Sequence, residues 1–98
     1  MPLIIQQSQD TLILRISGRF DFSLHKEFRA AHDEAKGVRH YVLDLCEAVY
    51  LDSSALGMML VLRDWAQGEG ADVRIRTQAP IVRKILAMAH FEALFAID

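Results

Sequence analysis

Residues Tyr41-Val42-Leu43-Asp44-Leu45-Cys46 form a short, nearly continuous apolar run. That is the pattern of a strand covered on both faces. Such a strand needs other elements to cover it, and the flanking sequence supplies them in alternation. Upstream, Leu12, Leu14 and Ile16 alternate with Ile13, Arg15 and Ser17, a period of two with one clearly apolar face. The spacing predicts strands over 3–7 and 11–17 around a turn at Ser8-Gln9-Asp10, with Gly18 to Phe22 as a connection.

Ser23 is a plausible N-cap for a first helix, because Leu24, Phe28, Ala31 and Ala35 recur at helical spacing and Gly37 offers a stop. A second helix is expected from about Ser54 to Gln67, ending at Gly68-Glu69-Gly70. A strand at roughly Val73–Thr77 follows, then a third helix with Pro80 in its first turn, where a missing N–H costs nothing. Ile81, Val82, Ile85, Leu86 and Ala89 form that helix's buried face, and 93–97 adds a last edge strand. Strands alternating with helices predict an α/β domain, a mixed sheet of four to five strands with three or more helices packed on it.

The 98 residues fit one domain, 1–98, and the 52% hydrophobic content suffices for a single core. One cysteine, Cys46, excludes a disulfide within the chain and reads as a small buried hydrophobe. Neither a signal-like N-terminus nor an apolar run of membrane length is seen, so a cytoplasmic protein without membrane insertion is expected. A net charge of -2 with interspersed signs leaves no basic footprint for nucleic acid.

The stretch Asp52-Ser53-Ser54-Ala55-Leu56-Gly57 lies where strand gives way to helix. Hydroxyls at a helix start face N–H groups without intrahelical partners. A phosphate there would meet those donors and the positive end of the helix dipole. The segment therefore reads either as a capped helix or as a covalent charge switch. Asp52 either caps the helix or orients the Ser53 hydroxyl.

On an ideal wheel of the second helix, Met58, Met59, Leu62, Trp65 and Ala66 share one side, and Arg63, Asp64 and Gln67 lie opposite. Leu56 and Leu60 fall among the polar residues as an i, i+4 pair. Either a neighbouring element covers them or they belong to a protein-binding patch.

Gly18-Arg19-Phe20-Asp21, the apolar strand through Leu45 and the Asp-Ser-Ser-x-Leu-Gly segment together resemble a STAS domain of the anti-sigma-factor-antagonist type. The resemblance extends over essentially the whole chain, including Pro80 to Leu86. It implies a small STAS-like α/β domain that binds an anti-sigma factor, itself a serine kinase of histidine-kinase-like ATPase fold. By the same resemblance the kinase phosphorylates Ser53, a metal-dependent serine phosphatase restores it, and the modified domain releases its partner. The expected role is transcription regulation by protein–protein interaction in a bacterial cell. Some relatives act without phosphorylation, as a constitutive STAS subunit of a larger complex such as a lipid-transport ABC system.

Ser53 is the expected phosphoacceptor, with Ser54 as the fallback. Asp21, Asp52, Ser54, Leu56 and Leu60 are the candidate partner-binding residues, and the free protein is expected to be a monomer. Asp21 reads equally as a solvated turn residue, and Asp44 as a structural carboxylate requiring a partner. His25, His32, His40 and His90 lack metal-ligand spacing and read as surface residues. No cofactor is expected, and catalysis is not, because no Gly-x-Ser-x-Gly elbow or phosphate loop occurs.

Overall fold

The structure, a computed structural model, describes residues 2–98. Strands β1 (Leu3–Ser8) and β2 (Thr11–Phe20) form a hairpin across Gln9-Asp10. Helix α1 (His25–Glu34) leads to β3 (His40–Leu51), α2 (Ser53–Gly68), β4 (Asp72–Arg76), α3 (Pro80–Met88) and β5 (Ala96–Ile97). The sheet is mixed as expected: its order is β1-β2-β3-β4-β5, antiparallel only at β1–β2.

Crossovers between parallel strands overwhelmingly share one hand, so three successive steps in one direction bring their helices to the same face. On that face Leu12, Leu14, Ile16, Tyr41, Leu43, Leu45 and Ile75 are buried, in one cluster with Phe28, Met59, Leu62, Val82 and Leu86 from the helices. The opposite face carries no helix among the described residues. Cross-strand polar pairs occupy it instead: Arg15 Nε lies 3.2 Å from Asp44, His40 Nδ1 3.1 Å from Asp72 and Arg74 Nε 3.4 Å from Asp98. The expectation of a central strand covered on both faces is thus corrected. Val42 and Asp44 are each only 8% exposed on the open face, and Arg15 from β2 lies against Asp44 there.

β2 and β3 run further than their apolar patterns suggest, because β3 carries extra residues at two register shifts. Arg15 pairs with Asp44 but Ser17 with Glu47, and Gly18 pairs with Ala48 but Arg19 with Tyr50. Such bulges break the two-residue alternation. Beyond Leu45, burial returns at Ala48 and Leu51, while Cys46, Glu47, Val49 and Tyr50 are exposed. Gly18 sits at the second shift with φ +75°, a conformation glycine adopts at no steric cost. It belongs to the strand and not to a connection.

The first bulge also corrects the reading of Cys46, whose side chain is exposed. Its N–H donates to Asp44 Oδ1 at 3.1 Å, and Arg15 holds the other carboxylate oxygen. Burial pushes the Asp44 pKa up, but the Cys46 and Arg15 hydrogen bonds outweigh it and leave the group below the ordinary value. Partial desolvation, then the Asp44 carboxylate through hydrogen bonding and charge, pushes the Cys46 thiol up.

Helix boundaries shift as well. α1 ends at Glu34, because Ala35 is already extended, and Gly37 (φ +67°) lies beyond it. On α3, Ile81 is exposed while Val82 and Leu86 carry the packing.

Candidate functional site

The C-terminal ends of β2 and β3 lie side by side, with Phe20 opposite Leu51 and the Asp52 N–H donating to the Phe20 carbonyl at 3.3 Å. Each strand passes directly into a turn with the sequence Asp-x-Ser. In the first, Asp21 Oδ1 accepts the Ser23 N–H at 3.0 Å and the Ser23 hydroxyl at 2.6 Å. In the second, Asp52 Oδ1 accepts the Ser54 hydroxyl at 2.6 Å and the Ala55 N–H at 2.9 Å.

Asp52 is therefore the N-cap of α2, and the hydroxyl it engages is that of Ser54. Of the two roles open for Asp52, capping is the one these contacts display. Ser53 is the first residue of the sixteen-residue α2 and is exposed. Its hydroxyl is not used for capping, whereas Ser54 is half-buried and already engaged.

Both carboxylates favour their charged forms. The Ser23 hydroxyl and N–H, followed by Arg19 at 3.7 Å, hold Asp21 below the ordinary carboxylate range. The Ser54 hydroxyl and Ala55 N–H hold Asp52 low against the opposing charge of Asp21. The two acids follow directly on the paired strand ends Phe20 and Leu51. Nearby, the Arg19 guanidinium stacks over the exposed Tyr50 ring, 4.7 Å from its centroid.

The two leucines singled out on α2 separate. Leu56 is half-buried and packed against the core, whereas Leu60 is 38% exposed. Val61, absent from the candidate set, is more exposed than either, and so is Phe22 at 65%.

A groove missed by the sequence reading runs between α1 and α2, lined by Phe22, His25, Phe28, His32, Gly57 and Val61 among others. His32 is a buried residue, not a surface one, at 2% exposure. Burial pushes its pKa below 6.5, partly countered by Asp33. Its position four residues after Phe28 and eight after Leu24 was the available signal, since these share a helix face. Its neighbour Trp65 is half-buried, with ring centroids 5.5 Å apart.

Comparison with known proteins identifies the chain. A family model described as "Mlab, STAS domain" matches residues 4–96. The chain belongs to the STAS domain family. A STAS-domain containing protein of Pseudomonas aeruginosa (strain UCBPP-PA14) is 54% identical over 88 residues, 89% of this chain and 87% of that one. The STAS fold is shared with an anti-sigma factor antagonist structure from Thermotoga maritima, with TM-score 0.86 and 18% identity over 97% of this chain and 84% of that one. The Bacillus anti-sigma factor antagonist SpoIIAA in its unphosphorylated form matches with TM-score 0.80 and 17% identity, over 98% and 86% of the two chains. Its phosphorylated form matches with TM-score 0.72 and 14% identity, over 98% and 90%.

Among the described residues, no group of three His, Cys, Asp or Glu side chains is placed to hold a metal ion, and no helix is long and apolar enough to cross a membrane.

Proposed function

We propose that this STAS domain, a single unit spanning 1–98, is a cytoplasmic anti-sigma factor antagonist switched by phosphorylation of Ser53. Unmodified, it binds an anti-sigma factor with serine kinase activity and a histidine-kinase-like ATPase fold; phosphorylated, it releases that partner. A metal-dependent serine phosphatase resets it.

One observation supports this reading above the others: the division of labour at the start of α2. Asp52 fills the cap and Ser54 is tied to Asp52, so the Ser53 hydroxyl is exposed and uncommitted at the positive end of a long helix. A phosphate there gains the helix dipole but adds about two negative charges beside Asp52 and Asp21. A partner surface formed against Asp21, Asp52, Ser54, Leu56 and Leu60 then meets a changed charge and must desolvate it. The SpoIIAA structures, named for its unphosphorylated and phosphorylated forms, support a fold compatible with both states.

The test is mass spectrometry of the protein purified from its own cells, with wild-type, Ser53→Ala and Ser53→Asp baits in parallel. Expected are one phosphate on Ser53 and loss of the kinase partner from the Ser53→Asp bait alone. An unmodified Ser53 in a stoichiometric complex with a transport ATPase would replace this reading with the constitutive-subunit one.

A further inference from the structure

The two edges of the sheet are protected unequally. β5, at one edge, is two residues long and is followed by Asp98, which pairs with Arg74. Short length and edge charges keep a strand from pairing with another chain. β1, at the other edge, runs six residues, Leu3–Ser8, with no charge, no proline and no break in its register against β2. Ile4 and Ile5 stand exposed along it.

The hydrogen-bond phase of β1 says which of its backbone groups are free. The Ser17 N–H donates to the Pro2 carbonyl at 2.9 Å, so Pro2 directs that group toward β2. Alternate residues of an antiparallel strand direct theirs to opposite sides. Ile4, Gln6 and Ser8 therefore face β2, while Leu3, Ile5 and Gln7 turn their N–H and C=O groups outward. No protein group among the described residues meets those outward groups. Leu3, Ile5 and Gln7 also carry their side chains on the helix face, since they stand opposite Ile16, Leu14 and Leu12. Above them α1 leaves a groove lined by Ile5, Leu12, Ala31 and Ala35 among others.

An antiparallel copy of the same strand fits this phase. Hydrogen-bonded antiparallel pairs need the outward groups of both residues. The register that uses all three residues sets Ile5 against Ile5 and Leu3 against Gln7, and every outward donor then meets an outward acceptor. Directly opposite residues share a face, so the helices of both copies stay on one side. The two Ile5 side chains meet at the twofold axis, beside the grooves that α1 leaves open. Ile4 lies opposite Gln6 on the helix-free face, and no like charges are apposed. A strand of another protein would have to reproduce this neutral pattern, which the chain itself already carries.

We propose that β1 pairs antiparallel with β1 of a second copy, joining two five-stranded sheets across Ile5 and making the free protein a dimer in place of the expected monomer. Six residues are few beside the roughly 20–30 a side of a standard interface, so the association is weak and depends on concentration. β1 reaches only to Ile16 on β2, short of Phe20. The end that carries Ser53 stays outside the pairing, and the dimer is independent of the Ser53 switch.

Sedimentation equilibrium of the unphosphorylated chain between roughly 10 µM and 1 mM tests it. Expected is a mass that doubles as concentration rises. In amide exchange on the same samples, the Leu3, Ile5 and Gln7 N–H groups should slow about tenfold once about nine chains in ten are paired. Ile5→Lys and Ile5→Asp should each stay monomeric, because the new charge meets itself at the axis, and mixing the two should restore a dimer with one of each. Ile4→Lys should keep the dimer, since its side chain faces Gln6 of the other copy. A monomer at every concentration, a dimer that survives Ile5→Lys, or protection elsewhere than on Leu3, Ile5 and Gln7 would overturn the proposal. Protection of those amides only when another protein is added would assign the edge to a partner's strand and overturn it too. Exchange is read on wild type and decides the matter even where a charged variant fails to fold.

Discussion

The two helix starts beside each other at the ends of β2 and β3 use one local device and differ in what stands behind it. Both place an aspartate oxygen 2.6 Å from the hydroxyl of the serine two residues on. Asp21, however, caps only the three-residue 3-10 turn Phe22–Leu24, and α1 begins after it with Leu24 as an N-cap that makes no side-chain bond. Asp52 opens straight into sixteen aligned residues. The residue between aspartate and serine follows suit: an exposed phenylalanine in one, an exposed serine in the other. A short turn gives an anion little to bind, whereas a long helix offers it a dipole and free donors. The same turn sequence therefore presents an exposed aromatic ring on one side and an exposed hydroxyl on the other.

The comparison breaks most visibly at the leucines behind the second start. Leu56→Glu should cost on the order of 2 kcal/mol, because it forces a carboxylate into the half-buried contact with the core; Leu60→Glu should leave the urea midpoint nearly unchanged. Next in size is the cap itself. Asp52→Ala should lose about 1 kcal/mol by chemical denaturation, and Asp21→Ala less, since a single turn depends on it. If the two losses were equal, the contrast between the starts would collapse. Gly57→Ala should gain up to about 1 kcal/mol, because the new methyl group enters open space on a helix that prefers alanine.

A smaller effect follows from His32 at the far end of the groove. Its folded pKa is lowered by burial, so the unfolded chain takes up the proton first. The stability this contributes is complete above the unfolded value of 6.5 and is lost as pH falls toward the lowered folded one. Thermal midpoints measured from pH 7.5 down to 5.5 (values chosen as roughly bracketing that window) should fall in wild type and flatten in His32→Phe. Smallest of all, Phe22→Ser should stay within about 0.5 kcal/mol of wild type, as expected for an exposed side chain away from the core.

The alternation of Leu12, Leu14 and Ile16 and the helical spacing of Phe28 and Ala31 made the order of elements legible in the sequence. The Asp-Ser-Ser segment likewise marked the start of α2 to within one residue. What the sequence hid were departures from simple periods. Two bulges in β3 turn a period of two into one of three, so the strand seemed to stop at Cys46 and that thiol seemed buried. The open face was hidden because Val42 is apolar by type and Asp44 is shielded by Arg15 of the neighbouring strand and not by a helix. His32 looked polar by type although its helical position placed it inside, and Leu56 looked exposed on a wheel that ignores how far the sheet wraps. The α1–α2 groove was hidden for a different reason: its two walls are distant in the chain and meet only after folding.

The helix-free side of the sheet has a consequence for how the molecule meets its surroundings. A broad pleated surface left uncovered invites another sheet to stack on it. Here the pairs Arg15–Asp44, His40–Asp72 and Arg74–Asp98 lie across that surface. Stacking would strip each of them of hydration, a penalty their mutual attraction rarely recovers. The row of polar pairs thus disfavours stacking of another sheet on the back of the molecule.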